Sequence, residues 1–266
     1  MPHLVRIALK QALTDDDVRA ASFPFFVPAI RTLPTLDVNA GVTLFVGENG
    51  SGKSTLLEGI ASAAEVTSFG GDQIAFDDTL APQRLLGAAL RLSWSPRSRR
   101  GFFLRAEDFF GYLKRQARDD ARIARERAES FGVVPEEAPE GSSVHVDERT
   151  AATFMGRYDS RSHGESFMDL FTTRVHPRGL YLLDEPEAPL SPVRQIALLA
   201  LILKATSTGA QFIICTHSPI LLACPGARIY SFDRTPIDRV SYDDLEHVSV
   251  MREFLSNPAA YLQRFR

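Results

Sequence analysis

A glycine-rich segment at residues 47–55 carries the clearest chemistry in the chain. It reads GENGSGKST and fits the pattern GxxxxGK[ST] through Gly47, Gly52, Lys53 and Ser54. Glycines let backbone N–H groups approach a phosphate, and the N-terminus of the following helix attracts the same anion. The lysine of this pattern reaches the β- and γ-phosphates, and the hydroxyl ligates Mg²⁺. The pattern predicts that ATP, or a close nucleoside triphosphate, binds with Mg²⁺ along the whole segment: Gly47, Glu48, Asn49, Gly50, Ser51, Gly52, Lys53, Ser54 and Thr55.

Two adjacent carboxylates in the second half of the chain could complete such a site. The apolar run Leu180–Leu183 ends in Asp184 and Glu185. At the end of a strand, Asp184 can hold Mg²⁺ opposite Ser54, directly or through water. Glu185 can polarise an attacking water. The alternative is an acidic turn between a strand and a loop, but Mg²⁺–ATP needs a carboxylate of this kind.

The elements around these residues predict an α/β fold. Residues 42–46 form an apolar, β-branched run before the glycine-rich segment, and Lys53–Ala64 has helical character. Strands and helices then alternate in the second half, which predicts parallel pairing. The predicted elements there are strands at Gly179–Leu183, Gln211–Cys215 and Arg228–Phe232, and helices at Pro192–Thr206 and 243–264.

The middle of the chain predicts an insertion. GFFLR at 101–105 is a further candidate strand, 106–130 has helical character, and 131–149 has the composition of a loop connection. We therefore expect one P-loop NTPase domain over residues 1–266, with a mainly parallel core sheet flanked by helices. Its core would span 1–80 and 171–266, and a helical subdomain would be inserted at about 81–170.

Composition limits the class of protein. Hydrophobic residues make up 44% of the 266 residues and charged residues 24%, an ordinary globular balance. The net charge of −3 gives no overall case for nucleic-acid binding, and two cysteines are too few for a disulfide framework. The N-terminus lacks a secretory pattern, and the longest apolar run, Ile196–Leu203, is too short to span a membrane. These features predict a cytoplasmic protein that does not insert into membranes.

Three further segments resemble motifs of ABC-type ATPases. DEPE at 184–187 and the APLSP that follows resemble the Walker B strand and D-loop of that family. Thr216-His217-Ser218-Pro219, directly after a strand, resembles its switch-histidine segment, and the resemblance implies that His217 senses the γ-phosphate. SHGE at 162–165 is similar to the signature that opens a helix upstream of Walker B. There the serine and the helix N-terminus bind the γ-phosphate in the partner subunit, which implies that role for Ser162 and Gly164.

The motifs span about 47–219 and are most similar to small stand-alone predicted ATPases with an SHGE signature. These are related to ABC transporter subunits and to the heads of SMC/RecF-type repair proteins. FFLRAEDFF at 102–110 also looks typical of that group, and it stands where ABC proteins have a glutamine near Mg²⁺. Glu107 is the candidate substitute and Gln83 the alternative, whereas Ser191 replaces the usual D-loop aspartate. An aromatic residue that stacks on adenine would come from Phe23, Phe25 or Phe26, each of which could equally be a core residue.

The resemblance implies an ATPase in which Glu185, His217 and Lys53 act in catalysis. Two copies would pair head to tail around two ATP molecules, and hydrolysis would switch a partner process through an unidentified protein effector. The process could be DNA repair or transport, or the protein could be a regulatory or defence module that senses ATP and controls a separate effector. Twelve Lys or Arg against five acids over 84–127 could form a nucleic-acid surface, or simply a solvated helix. A P-loop kinase and a non-hydrolysing nucleotide-binding scaffold are the alternatives from other classes.

Overall fold

The protein forms two β-sheets surrounded by helices in a computed structural model. The structure describes residues 2–11, 23–69, 81–106, 109, 122 and 163–263. Strands within these residues are β1 (Leu4–Leu9), β2 (Leu36–Asp37), β3 (Val42–Val46), β4 (Leu90–Trp94), β5 (Gly101–Arg105), β6 (Leu180–Asp184), β7 (Gln211–Cys215), β8 (Arg228–Ser231) and β9 (Asp238–Val240). Helices are α1 (Pro28–Arg31), α2 (Lys53–Ala64), α3 (Ala81–Ala89), α4 (His163–Arg174), α5 (Pro192–Ser207), α6 (Pro219–Leu222), α7 (Glu246–Ser256) and α8 (Pro258–Leu262), with a 3₁₀ turn at Tyr242–Asp244.

The larger sheet has the strand order β5-β6-β7-β3-β8-β9. Every neighbouring pair in it is parallel except β8 with β9. Strands β3, β6 and β7 are buried along their whole length, as expected of a parallel sheet covered on both faces. Because the strands run the same way, their carboxyl ends meet at one edge, where ligands bind in open α/β sheets. The mainly parallel α/β fold is therefore confirmed.

The two faces of this sheet bury two separate apolar clusters. Alternate residues of each strand point to opposite faces, so Phe45 belongs to the first cluster and Leu44 to the second. The first cluster contains residues of α2, α3 and the smaller sheet. The second contains residues of α4, α5 and α7, and it includes stacked rings of Phe171, Tyr181 and Phe212. Packing from both sides fixes the sheet edge that carries the site.

A buried glutamine joins the smaller sheet to the larger one. The smaller sheet is antiparallel, in the order β2-β1-β4. The Gln211 side chain on β7 accepts hydrogen bonds from the N–H groups of His3 (2.9 Å) and Leu4 (2.8 Å). It also donates to the carbonyls of Leu4 (2.7 Å) and Val38 (2.9 Å). The fully buried side-chain amide of Gln211 thus provides hydrogen-bond partners for two backbone N–H groups and two backbone carbonyls.

Residues 81–105, which the sequence assigned to a helical insertion, contain a helix and two strands of the core sheets. Strand β4 pairs with β1, and β5 pairs with β6, so residues 90–105 belong to the two core sheets. Helix α3 packs on α2, where Leu86 would meet any side chain placed at Gly59. The helical subdomain expected at about 81–170 stays a prediction, and its described part, residues 81–105, contains one helix and two strands of the core sheets. Most of the proposed helical stretch 106–130, and all of the connection 131–149, lie outside the described residues.

The last part of the chain also differs from the single helix expected over 243–264. A 3₁₀ turn at Tyr242–Asp244 precedes α7, and α8 starts after Asn257. Asn257 caps α8 by accepting from the N–H of Ala260, and Pro258 cannot continue the preceding helix. None of the helices in the described part of the chain is long and apolar enough to cross a membrane.

Candidate functional site

The segment 47–55 joins the end of β3 to the start of α2, in the strand–loop–helix order that its sequence predicts. Gly52 is the residue before α2 and has φ of 102°, which a residue with a side chain rarely adopts. The buried Lys53 opens the helix, and its ammonium donates to the carbonyls of Gly47 (2.6 Å) and Glu48 (2.8 Å). These bonds hold the lysine nitrogen inside the curve of the loop. A bound phosphate there would meet both the ammonium and the helix N-terminus.

The aromatic segment ahead of β3 lies against this loop. A side-chain carbon placed on Gly52 would come within 2.8 Å of the Val27 side chain. Phe25 packs against the first core cluster, whereas Phe26 is 55% exposed and Phe23 37% exposed. The rings of Phe23 and Phe26 meet edge to face at 6.0 Å. Of the three candidate adenine-stacking residues, Phe23 and Phe26 are thus the more exposed.

Ser54 and Asp184 come together although 130 residues separate them in sequence. The Ser54 hydroxyl donates to Asp184 Oδ1 at 3.0 Å. Asp184 ends β6 and is largely buried, and this burial raises the pKa of its carboxyl to about 6. The Ser54 hydrogen bond opposes that rise, while the nearby carboxylates of Glu58 and Glu185 add to it. A pair of hard oxygen donors beside an anion-binding loop suits Mg²⁺, which takes few protein ligands alongside phosphates and water.

Glu185 and His217 face each other across neighbouring strand ends. Glu185 follows β6 with φ of 48°, and its N–H donates to the carbonyl of Cys215 at 2.9 Å. His217 follows β7, and its Nε2 lies 3.7 Å from Glu185 Oε1. That separation is too long for a direct hydrogen bond. Both side chains are partly exposed, although His217 Nε2 itself is buried and has no hydrogen-bond partner among the described residues.

Sequence reasoning missed a third strand-end carboxylate. Asp233 follows β8, and its Oδ1 accepts from the N–H of Glu48 at 2.7 Å, which ties the exposed tip of the loop to the sheet. A helix α7 residue, His247, lies nearby. Burial lowers the pKa of His247, the neighbouring His217 lowers it further, and Asp233 raises it. The signal for Asp233 was its place after an apolar strand, which it shares with Asp184 and His217.

A buried ion pair at the other side of the loop also escaped the sequence analysis. Arg105 at the end of β5 is paired with Glu58 on α2, and both side chains are mostly buried. Arg97 pairs with Glu65 at 2.8 Å and lies over the ring of Trp94. These two arginines belong to the basic stretch 84–127, so part of its charge is neutralised within the fold. Most of that stretch lies outside the described residues.

The remaining predicted site residues are placed only in part. Helix α4 spans His163–Arg174, so Gly164 of the SHGE segment lies in a helix. Ser162 and Glu107 lie outside the described residues. Gln83 lies on α3, and its Oε1 is buried without a hydrogen-bond partner in the part of the chain that is described. The described residues contain no group of three or more His, Cys, Asp or Glu side chains that could hold a metal ion.

The fold and the loop geometry define a P-loop nucleotide-binding domain of the α/β class. The family model described as "AAA domain, putative AbiEii toxin, Type IV TA system" matches residues 84–223, about half of the chain, and the chain belongs to that family. A second family model, described as "AAA domain", matches residues 25–65, which include the glycine-rich loop. No curated protein matches the chain.

Several solved structures are similar to the chain at low identity. A putative metal-chelate type ABC transporter has 17% identity and a TM-score of 0.41, covering 80% of this chain and 77% of that one. CbiO1 from Clostridium perfringens, part of the ABC transporter complex cbiONQ, has 16% identity and a TM-score of 0.39, covering 87% and 90%. The SMC head domain from Thermotoga maritima has 16% identity and a TM-score of 0.39, covering 91% and 99%.

Proposed function

We propose that the protein hydrolyses ATP to ADP and phosphate with Mg²⁺. The observation that carries this proposal is the meeting of four groups at one sheet edge: the loop with Lys53, the Ser54–Asp184 pair, Glu185 and His217. Lys53 would bind the β- and γ-phosphates, and Ser54 and Asp184 would hold Mg²⁺. The metal, when bound, neutralises charge on the phosphates. Membership of an AAA-domain family supports nucleotide binding.

Glu185 is the proposed base for the attacking water. It lies one residue beyond the proposed metal ligand, and its carboxylate is exposed enough to contact solvent. His217 Nε2, 3.7 Å away, can bind the γ-phosphate or the same water. Phe23 or Phe26 would stack on the adenine ring, because both are more exposed than Phe25.

We further propose that two copies close head to tail around two ATP molecules. Each site would join Lys53, Ser54, Asp184, Glu185 and His217 of one copy to Ser162 and Gly164 of the other. A two-fold dimer uses the same surface twice, so one chain supplies both halves. The position of Gly164 in helix α4 supports the proposal, because the N–H groups at a helix N-terminus can bind an anion. ATP would close the dimer and hydrolysis would open it, which makes the useful output a conformational switch.

The test uses Glu185→Gln, which keeps the size of the side chain and removes the base. We expect this variant to bind ATP, to release phosphate at least about a hundredfold more slowly, and to accumulate as a dimer with ATP and Mg²⁺. Size-exclusion chromatography with light scattering measures the dimer, and phosphate release without any acceptor measures turnover. Glu253→Gln on α7 is the matched control and should behave as wild type. A strictly monomeric Glu185→Gln protein would exclude the dimer.

The family description bears on what the switch controls. It names a putative toxin of a type IV toxin–antitoxin system. Among the outputs considered, this favours the control of a separate effector over transport or DNA repair. Co-purification from the native cell with Glu185→Gln, which holds the closed state, would identify that effector. A P-loop kinase would instead transfer labelled phosphate to a metabolite, and such a product would exclude the proposed hydrolysis.

A further inference from the structure

A third carboxylate of the DEPE segment binds the loop that carries His217. Glu187 Oε1 accepts from the Thr216 hydroxyl at 2.7 Å and from the N–H of His217, also at 2.7 Å. The N–H of Ser218 reaches the same oxygen at 3.2 Å. Three consecutive residues therefore donate to one oxygen atom. Hydrogen bonds to an ionised carboxylate are shorter and stronger than neutral ones, so this oxygen fixes the backbone at His217.

A second side chain, Gln195 on α5, ties the same loop to the residues that follow the DEPE segment. The Ser218 hydroxyl donates to Gln195 Oε1 at 2.6 Å, and Gln195 Nε2 donates to the carbonyl of Leu190 at 3.0 Å. The Ser218 oxygen also accepts from the first N–H groups of α6 and so caps that helix. The His217 loop is thereby held between residues 187–195 on one side and α6 on the other.

The Thr216 hydroxyl and the His217 N–H have no acceptor other than Glu187 in the described part of the chain, whereas the Ser218 N–H also reaches Thr216 Oγ1 at 3.0 Å. Thr216 is fully buried and Ser218 is 5% exposed, so water cannot easily replace a lost acceptor. A buried N–H without a partner is costly, and a loop that loses its acceptor rearranges to find another. His217 would move with it, because its own N–H is one of the three donors. Glu187 Oε2 is buried and has no hydrogen-bond partner among the described residues.

We propose that Glu187 is a positioning residue for hydrolysis: it holds His217 opposite Glu185 without itself touching the nucleotide. This inference rests on the proposed ATPase function. In the described part of the chain, the hydrogen-bond partners of the Glu187 side chain all belong to residues 216–218, none to the loop 47–55. Its effect should therefore fall on the rate of the chemical step, with little effect on ATP binding.

The first test compares Glu187→Ala with Glu187→Gln. The alanine variant loses the acceptor, and we expect kcat to fall about tenfold to a hundredfold, the size expected for a catalytic group displaced by about 1 Å. The dissociation constant of a fluorescent ATP analogue should stay within about twofold of wild type, because Lys53 and its loop are unchanged. The glutamine variant keeps an oxygen at the Oε1 position and should retain most of kcat. Glu253→Ala, on the surface of α7, is the matched control.

A double-mutant cycle with His217→Ala separates positioning from a general loss of structure. If Glu187 acts only through His217, adding Glu187→Ala to His217→Ala should lower kcat no further. Should Glu187→Ala fail to fold, Thr216→Val removes one donor at nearly constant volume. We expect that variant to lower kcat about twofold to fivefold in wild type and not at all in His217→Ala.

Three outcomes would overturn the inference while leaving the proposed ATPase intact. These are a wild-type kcat in Glu187→Ala, losses that multiply in the double variant, and weaker ATP binding at unchanged kcat. A loss in Glu187→Gln as large as in Glu187→Ala would also contradict it, since the acceptor is then not what matters. A wild-type protein that releases no phosphate would instead overturn the proposed function, and the role of Glu187 with it.

Discussion

At the scale of single residues, the fold destabilises the ionised form of Asp184. Its folded-state pKa of about 6 lies above its ordinary value of 3.8, chiefly because of burial. A carboxyl whose pKa rises on folding favours the folded state at low pH, where it is protonated in both states. That contribution is lost as the pH rises through about 4 to 6. Above this range the ionised carboxylate destabilises the protein in the absence of a cation.

Asp184→Asn should therefore stabilise the nucleotide-free protein at neutral pH. One pH unit of pKa difference is worth about 1.4 kcal/mol, so the gain in unfolding free energy at pH 7.5 should be about 1–3 kcal/mol. The gain should shrink as the pH falls and disappear near pH 4. Urea denaturation of both proteins from pH 4 to 8 measures it, and the difference cancels the other titrating groups. A gain that does not change with pH would contradict this origin.

The metal provides the control for the same substitution. Mg²⁺ with ATP should raise the melting temperature of the wild type, because binding to the folded state alone is stabilising. Asp184→Asn should lose most of the Mg²⁺-dependent part of that increase. Asp184 would then destabilise the free protein and stabilise the complex with Mg²⁺ and ATP, a trade-off that is common at active sites.

The phosphate-loop pattern predicted which residues of the site would meet, but not the carboxylates that hold their loops in place. Ser54 and Asp184 were expected to be neighbours because both follow from the requirement for Mg²⁺–ATP. Asp233 and Glu187 were not, because their partners are backbone N–H groups of distant loops. A carboxylate that accepts from backbone leaves no residue-type pattern in the sequence. Only the pairing of strands reveals which loop it reaches.

At the scale of elements, sequence predicted the buried parallel strands and missed the smaller sheet. Strands β3, β5 and β7 and helix α2 have the predicted bounds, and the strands were recognisable by their length of five mainly apolar residues. Strand β4 was assigned to a helical insertion. Its burial alternates, and it is a strand because it pairs with β1, about 85 residues earlier in the chain. Local pattern cannot specify such a partner.

Edge strand β5 depends on a glycine at its first residue. Gly101 has φ of 134°, and a Cβ atom there would lie 1.7 Å from the carbonyl oxygen of Leu180. Gly101→Ala should separate β5 from β6 and lower the unfolding free energy by at least about 3 kcal/mol. Gly226→Ala is the control, since Gly226 also has positive φ (72°) but open space around it. It should cost only about 1 kcal/mol, as measured by urea denaturation. Equal losses would show that backbone conformation, and not contact with β6, sets the cost.

At the scale of the whole molecule, one copy of the chain supplies only half of each proposed site. The sheet edge brings together the groups of the glycine-rich loop, β6 and β7, whereas the SHGE segment would act on the other copy. If that is so, two inactive variants with defects in different halves should complement each other. The prediction needs no knowledge of the effector.

Lys53→Ala and Ser162→Ala should each abolish turnover and regain it when mixed. In an equal mixture half of the dimers are mixed, and each mixed dimer has one intact site. Phosphate release should thus recover to about a quarter of the wild-type rate. A mixture of Lys53→Ala with Asp184→Asn is the control, because both defects lie in the same half and no intact site can form. No recovery in the first mixture would mean that each copy builds its site alone.

The left-handed backbone at Glu185 has a consequence for how this sequence can drift. A residue with a side chain at φ of 48° costs about 1 kcal/mol or more relative to glycine. If selection acted only on folding stability and not on ATP hydrolysis, glycine or asparagine would therefore replace Glu185 early. Among descendants of this chain, a glycine after Asp184 would mark lineages that kept the fold and abandoned hydrolysis. A glutamate kept at this position would instead indicate selection for turnover.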